Sequence, residues 1–175
     1  TTHIAALMDN RGQVTACDIY PHKLKLIVDN ARRLKLENIK TELQDGMVFR
    51  EGWKEKFDKV LVDAPCSGLG VLRRRAEARW TKTEKGLQVF PPLQQAILEN
   101  AGKYVKPGGV LVYSTCTTEE KENRGQIRSF LEFHKEWKQA GFAHPRTGAV
   151  IRELQLYPQR DGVDGFYITV LRKES

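Results

Sequence analysis

The hydrophobic positions of this 175-residue chain switch repeatedly between strand-like and helix-like spacing. The β-branched run from Val14 to Ile19 predicts a strand. Pro21 predicts the start of a helix, because proline has no N–H to leave unpaired in a first turn. A helical apolar face follows, formed by Leu24, Ile27, Val28, Ala31 and Leu34. The first part of the chain therefore predicts a strand followed by an amphipathic helix.

The same order of strand and helix recurs downstream. Alternation from Ile39 to Leu43 predicts a second strand, closed by the turn signal Asp45-Gly46. Val60 to Val62 and Val110 to Tyr113 are short apolar runs of the kind found in buried parallel strands. Two further helical faces consist of Leu93, Ala96, Ile97, Ala101 and Tyr104, and of Ile127, Phe130 and Leu131. We expect the first of these helices to end at Lys106 to Gly109.

The end of the chain predicts two strands, Leu154 to Tyr157 and Phe166 to Leu171, joined through a turn at Asp164-Gly165. Strands that alternate with helices predict an α/β fold with a doubly wound, mainly parallel sheet. The last two strands are close enough in sequence to pair antiparallel. No repeat or linker-like segment interrupts the pattern, so we expect a single domain over residues 1–175.

Polar and reactive residues fall at, or just after, the predicted strand ends. In a doubly wound sheet, ligands bind in the crevice outside the carboxyl ends of the strands. The residues expected on that rim are Asp18, Asp45, Asp63 to Ser67, and Cys116.

The chain opens on a helical segment, Thr2 to Met8, without a preceding strand or Gly-rich loop. A nucleotide-binding crevice normally begins with both of these elements. We therefore expect the sequence to be a fragment, or the ordered part, of a longer protein.

Charge and composition indicate which classes of molecule this protein binds. The net charge is +7 and the sequence pI is about 9.4, which favours a polyanionic partner such as nucleic acid, although a solvated basic surface is the alternative. No long apolar run or secretory signal is recognisable, so we expect no membrane association. The three cysteines lack CxxC spacing, which favours reduced thiols in the cytoplasm and neither a zinc site nor any other metal centre.

Two of the cysteines occupy neighbouring positions on the predicted rim. Cys66 lies in D-A-P-C-S-G and Cys116 in S-T-C-T-T. A lone cysteine is most often a small buried hydrophobe, and we expect this of Cys17, which lies inside a strand. A pair of thiols among small residues, with arginines nearby, instead favours a reactive site.

These motifs resemble the RNA cytosine-5 methyltransferases of the Sun and nucleolar-protein family, which includes bacterial enzymes that modify 16S ribosomal RNA. The resemblance covers nearly the whole chain. It rests on "DAPCSGLGVLRRRAEARW", "LQQAILENAGKYVKPGGVLVYSTC" and "DGFYITVLRK". The family's Gly-rich cofactor loop ends just before a threonine-rich helix start, and this chain begins at Thr1-Thr2.

The resemblance implies a Rossmann-like fold that uses S-adenosylmethionine to methylate C5 of a cytosine in ribosomal RNA. Addition of a thiolate at C6 makes C5 nucleophilic, and a second group must help remove the C5 proton before the thiol leaves. The resemblance assigns Cys116 as the nucleophile and Cys66 to release. DNA cytosine-5 methyltransferases use the Pro-Cys thiol instead, so Cys66 remains the alternative nucleophile.

The same resemblance implies roles for three aspartates. Asp63 is expected to contact the target base, with a strand-ending turn cap as the alternative, and Asp63 and Pro65 also belong to the expected cofactor site. Asp18 is positioned to accept hydrogen bonds from the ribose hydroxyls of the cofactor. Asp45 is expected near the adenine, and a simple turn-forming Asp-Gly is almost equally favoured.

A basic stretch follows the Pro-Cys motif. Phosphate contacts supply most nonspecific affinity for nucleic acid, and such a cluster suits an enzyme that turns a base into its pocket. The residues expected to bind RNA are Arg73, Arg74, Arg75 and Arg79. Trp80 is expected either to stack on a base or to anchor the loop in the core.

The leading hypothesis is therefore a monomeric methyltransferase that acts on C5 of a cytosine in ribosomal RNA. The expected ribosomal RNA is 16S RNA. An N-methyltransferase of the same fold is the second hypothesis, since the Asp63 to Pro65 turn would bind an amino group without a cysteine. A noncatalytic RNA-binding fragment is the third.

Overall fold

The computed structural model describes all residues, 1–175, and contains seven α-helices and nine β-strands. The chain forms two compact units, Thr1–Val48 and Phe49–Ser175. The expectation of a single domain over the whole chain stays a prediction.

The first unit holds two parallel strands and two helices. Its elements are α1 (Thr2–Leu7), β1 (Val14–Asp18), α2 (Pro21–Arg33) and β2 (Ile39–Leu43). The strands pair in register from Val14 opposite Ile39 to Asp18 opposite Leu43. Pro21 occupies the first turn of α2, as the sequence predicted.

Cys17 corrects one expectation in this unit. The residue lies in β1 but is exposed, whereas its neighbour Ala16 is buried at 6 % exposure. Successive side chains of a strand point to opposite faces, so burying Ala16 turns Cys17 outwards.

The second unit is built on a five-stranded sheet. Strand β3 (Phe57–Asp63) pairs in parallel with β4 (Val105–Thr115), and β4 pairs antiparallel with β9 (Phe166–Lys173). Strands β5 (Trp137–Gln139) and β8 (Glu153–Leu156) both add antiparallel to β9. The expected antiparallel pairing of the last two strands is present, and β5 adds an antiparallel neighbour that the sequence pattern did not predict.

The other elements of this unit are helical or short. They are α3 (Ala78–Thr81), α4 (Glu84–Leu87), α5 (Phe90–Tyr104), α6 (Arg124–Phe133), the strand pair β6 (Phe142–Ala143) and β7 (Val150–Ile151), and α7 (Pro158–Asp161). No helix is both long enough and apolar enough to cross a membrane.

Helix α5 ends at Tyr104, before the predicted stop segment, and residues 106–109 lie within β4. The register between β3 and β4 shifts in this part of the ladder and becomes regular from Lys59 opposite Val110 onwards. Gly108 has a φ of +74°, a backbone conformation that explains why a glycine suits this irregular part of the strand.

The core of the second unit lies between the sheet and helices α5 and α6. Its largest fully buried side chains include Tyr113, Tyr167, Phe130, Leu98 and Leu111. Tyr113 of β4 and Tyr167 of β9 are in edge contact, with ring centroids 6.5 Å apart. This packing fixes β4, whose end carries the candidate site.

Candidate active site

The Cys66 and Cys116 side chains meet beside the ends of two parallel strands. Cys66 follows β3, Cys116 follows β4, and the last pair in the ladder is Asp63 opposite Ser114. The two Sγ atoms are 3.4 Å apart, within hydrogen-bonding distance for sulfur, and both thiols are free. The structure thus brings together the two cysteines that the sequence placed on one rim.

The two thiols differ in acidity. The pKa of Cys116 is lowered to about 7, mainly because the Cys66 thiol donates a hydrogen bond to the Cys116 thiolate. The pKa of Cys66 is raised, first by this hydrogen bond and then by burial. Cys116 is therefore the thiolate of the pair and Cys66 the proton-bearing partner.

Asp63 lies at the end of β3 with its side chain exposed. Ser114 Oγ donates a hydrogen bond to Asp63 Oδ1 at 3.0 Å. The negative charge of Asp63 raises the pKa of Cys116, and the positive charge of Arg75 lowers it, but both effects are smaller than that of the Cys66 thiol. Asp63 is thus held near the thiols and keeps an exposed carboxylate.

The turn that carries Cys66 is held on both sides by two buried side chains. Gln94 Nε2 donates to the carbonyl of Pro65 at 2.9 Å and to Glu122 Oε2 at 2.8 Å. The same Oε2 atom accepts the Ser67 N–H at 2.8 Å. Gln94 is 0 % exposed and Glu122 is 2 % exposed, so these hydrogen bonds are shielded from water.

Glu122 lies just before the start of helix α6. Glu122 ends a short 3-10 turn, Glu120–Glu122, before α6 begins at Arg124. Its own carbonyl accepts a hydrogen bond from the Tyr113 hydroxyl at 2.7 Å. Its buried carboxylate accepts hydrogen bonds through Oε2 from the Cys66 turn and from Gln94.

A hydrogen bond between two hydroxyl groups also joins the segments that carry the two cysteines. Ser67 Oγ and Thr117 Oγ1 are 2.7 Å apart, and each follows one of the cysteines directly. Asn123 Nδ2 donates to the carbonyl of Thr117 at 3.0 Å, and Asn123 Oδ1 accepts from Thr115 Oγ1. The residues on both sides of Cys116 are therefore fixed by buried Asn123.

Two glycines allow the main chain to approach Cys116 closely. Gly70 N donates to the carbonyl of Cys116 at 3.1 Å, and Gly165 N donates to the carbonyl of Gly70 at 2.8 Å. A Cβ atom on Gly70 would lie 2.2 Å from the Gly165 oxygen and 2.8 Å from the Cys116 oxygen. No other residue fits this position without displacing one of these segments.

The predicted RNA-binding arginines are all exposed. Arg73 Nε and Arg74 Nε contact the two carboxylate oxygens of Asp164 at 2.5 and 2.6 Å. Arg75 is close enough to Cys116 to influence its pKa, and Arg79 lies in α3. Their role in RNA binding stays a prediction.

Trp80 is 88 % exposed. This exposure excludes the alternative in which the side chain anchors its loop in the core, and it leaves the indole ring available for stacking.

The predicted cofactor acids of the first unit lie at strand ends. Asp18 ends β1, where its Oδ1 accepts the Tyr20 N–H at 2.9 Å and its Oδ2 is 3.6 Å from Lys23 Nζ. Asp45 Oδ1 accepts the Met47 N–H at 2.9 Å, which is the contact expected of a turn-forming aspartate. Their cofactor roles stay predictions, as does that of Pro65.

Sequence reasoning missed Gln94, Glu122 and the close approach of Gly70. One signal was present for Gln94, a polar residue that shares the helical spacing of the buried Leu98 and Ala101. Nothing in the local sequence distinguishes buried Glu122 from exposed Glu120, because the difference arises from the packing of α5 against the Cys66 turn.

Several known proteins with similar sequences carry the name of ribosomal RNA methyltransferases. Residues 1–172 match the family model described as 16S rRNA methyltransferase RsmB/F. The chain is 39% identical to the probable ribosomal RNA small subunit methyltransferase B of Bacillus subtilis, over 99% of this chain and 40% of that protein. It is 34% identical to the ribosomal RNA small subunit methyltransferase F of Vibrio cholerae, over 99% and 38%.

Solved structures agree with this relationship. NSun6 from Pyrococcus horikoshii, determined with SFG, is 32% identical with a TM-score of 0.81, over 99% of this chain and 44% of that chain. A methyltransferase homologue from the same organism is 29% identical with a TM-score of 0.79, over 98% and 57%. The predicted Rossmann-like methyltransferase fold is confirmed.

An N-methyltransferase, NodS from Bradyrhizobium japonicum, shares the fold at a TM-score of 0.57 but is only 14% identical. The chain spans about 40% of the length of the curated relatives named above. Its match to the family model nevertheless extends over nearly every residue. The chain therefore belongs to the 16S rRNA methyltransferase RsmB/F family.

Proposed function

We propose that this chain is the catalytic part of an enzyme that transfers a methyl group from S-adenosylmethionine to C5 of a cytosine in ribosomal RNA, with 16S RNA as the expected substrate. The observation that carries the proposal is the Cys66–Cys116 contact of 3.4 Å, in which one thiol favours ionisation of the other. Membership of the RsmB/F family supports the reaction and the substrate.

Cys116 is the proposed nucleophile. With a pKa of about 7, a large fraction of this thiol is ionised at neutral pH, and thiolate is the reactive form. Its sulfur forms a bond to C6 of cytosine while the C5–C6 double-bond electrons move toward C5. C5 then becomes nucleophilic enough to accept a methyl group.

Cys66 is the proposed release group. After methyl transfer, a base removes the C5 proton, the C5–C6 double bond re-forms, and the bond between C6 and the Cys116 sulfur breaks. The departing sulfur leaves as a thiolate. A Cys66 S–H group at hydrogen-bonding distance stabilises that thiolate, as it does in the free protein.

Asp63 is proposed to contact the target base. Its exposed carboxylate is fixed by Ser114 next to the thiols, which suits a hydrogen bond to the amino group or protonated N3 of cytosine. The exposed arginines Arg73, Arg74, Arg75 and Arg79 are proposed to hold the RNA backbone.

S-adenosylmethionine supplies the methyl group when it is bound. The chemistry of Asp18 fits this cofactor, because Oδ2 has only a 3.6 Å contact with Lys23 and remains an acceptor for ribose hydroxyls. Asp45, Asp63 and Pro65 are the other residues that we propose to contact this cofactor. NSun6, a relative, was determined with the S-adenosylmethionine analogue SFG. We place the reaction in the cytoplasm, with a monomeric enzyme.

A protein–RNA adduct on a denaturing gel tests the proposal. The experiment uses a form of the protein with the length of its curated relatives, unmethylated ribosomal RNA and S-adenosylmethionine. We expect Cys66→Ala to accumulate an adduct, because bond formation proceeds while release is slowed. Cys116→Ala forms none, and Cys17→Ala, a matched cysteine change in the first unit, behaves like the unmutated protein.

The reverse pattern would assign the nucleophile to Cys66. Methyl transfer that persists without an adduct in both variants would refute the covalent mechanism and favour the N-methyltransferase alternative.

A further inference from the structure

A polar groove lies in the Phe49–Ser175 unit, lined in part by the segment that follows the Pro-Cys motif. It has a volume of about 440 Å³, within the range of about 300–1,000 Å³ that is usual for ligand pockets. Its lining combines basic residues with an apolar surface formed by Leu156, Val163 and Phe166.

The groove carries excess positive charge. Arg73, Arg74 and Arg146 line it, and Asp164 is the lining carboxylate. Asp164 engages Arg73 and Arg74 through their Nε atoms, which leaves the outer end of the Arg74 guanidinium, on a side chain that is 70% exposed, able to face a second anion. Asp164 thus positions these arginines without neutralising the groove.

His144 adds a hydrogen-bond donor that does not need a charge. Its Nδ1 atom accepts the N–H groups of Arg146 and Thr147 at 3.1 and 3.2 Å. A nitrogen that accepts hydrogen bonds carries no proton, so the proton of the neutral ring is on Nε2. The loop therefore fixes the tautomer in which His144 donates through Nε2.

The groove is joined to the cysteine site through the main chain. Gly165, which adjoins Asp164 and Phe166, donates to the carbonyl of Gly70, and Gly70 donates to the carbonyl of Cys116. A Cβ atom on either glycine would clash with the main chain of the other, so the groove and the Cys116 segment are in direct main-chain contact.

We propose that this groove binds the RNA nucleotide next to the target cytosine, with a backbone phosphate at Arg74, His144 and Arg146 and the sugar or base against Leu156, Val163 and Phe166. A phosphodiester matches guanidinium and N–H donors, and a partly exposed aromatic side chain suits a nucleotide. The inference rests on the proposed RNA methylation, and it adds His144 and Arg146 to the RNA-contacting residues.

The test is equilibrium binding of a fluorescent single-stranded ribosomal RNA oligonucleotide over a series of salt concentrations. We expect Arg146→Ala to weaken binding by about tenfold and to lower the salt slope by about 0.7, the value for one lost phosphate contact on a single strand. Arg146→Lys restores the slope. The control is Arg128→Ala, an exposed arginine of α6 outside the groove.

Equal binding by Arg146→Ala and Arg128→Ala would overturn the inference. Methyl transfer by the longer form separates this failure from failure of the proposed function. If Arg146→Ala methylates at a normal rate with saturating RNA but has a raised KM, both proposals hold. If Arg146→Ala weakens RNA binding but the unmutated protein never methylates cytosine, the result supports nucleotide binding in the groove and refutes the proposed reaction.

Discussion

Gln94 and Glu122 are joined by a buried 2.8 Å hydrogen bond, and together they hold the main chain on both sides of Cys66. Gln94 Nε2 and Glu122 Oε2 make these contacts, whereas Gln94 Oε1 and Glu122 Oε1 are buried without a hydrogen-bond partner. Control of the position of the Cys66 thiol therefore depends on two residues that do not touch its sulfur.

Glu122→Ala is expected to destabilise the fold. The Ser67 N–H and one Gln94 N–H lose their acceptor, at a cost of about 1–3 kcal/mol for each buried group. Urea denaturation measures this change. Glu120→Ala, at the start of the same 3-10 turn and exposed, is the control and is expected to change stability by less than about 0.5 kcal/mol. Equal effects of the two changes would contradict the assigned role of Glu122.

Alkylation of Cys116 by iodoacetamide is expected to follow a titration with a midpoint near pH 7, because thiolate is the reactive form and the pKa is about 7. The lowered pKa means that the reactive population grows as the pH rises through 7 and is lost below it. Cys66→Ala removes the S–H donor, so the midpoint moves to higher pH. Mass spectrometry of the Cys116 peptide measures the rate, and exposed Cys17 provides an internal reference. An unchanged midpoint in Cys66→Ala would show that another group lowers the pKa.

Gly70→Ala is expected to destabilise the protein by about 1–3 kcal/mol, because the added Cβ atom collides with main-chain oxygens of Gly165 and Cys116. It also displaces Cys116, so its alkylation profile changes. Gly52→Ala is the matched control, since a Cβ atom there meets nothing within 4 Å. Thermal unfolding compares the two, and a stable Gly70→Ala protein would disprove the close approach.

Trp80→Ala is expected to leave stability unchanged within about 0.5 kcal/mol, because the side chain is 88 % exposed. Addition of RNA is expected to quench tryptophan fluorescence, and this change disappears in the variant if Trp80 stacks on a base. Trp53 and Trp137 are buried, at 8 % and 4 % exposure, and supply the constant background. Quenching that persists in Trp80→Ala would assign it to another residue.

Local patterns predicted much of this fold. The β-branched run at Val14 and the proline at Pro21 carry their own strand and helix signals, and the structure places β1 and α2 there. The thiol pair was also predictable, because strand ends of a parallel sheet share a rim.

Other features depend on distant packing. To predict that Cys17 is exposed, one must know which face of β1 is buried. The buried state of Glu122 requires Gln94 and Ser67, which lie 28 and 55 residues away in sequence. No local pattern encodes such contacts, so the sequence alone did not identify Glu122 as a buried residue.

The 3.4 Å contact between Cys66 and Cys116 joins residues that are 50 positions apart in the chain. The two sulfur atoms come together where β3 pairs with β4. The lowered pKa of Cys116 is therefore acquired during folding. It reports that the pairing of β3 with β4 is complete, and non-local strand pairing is one of the slower folding events. A brief alkylation pulse at neutral pH during refolding would thus time the assembly of this sheet.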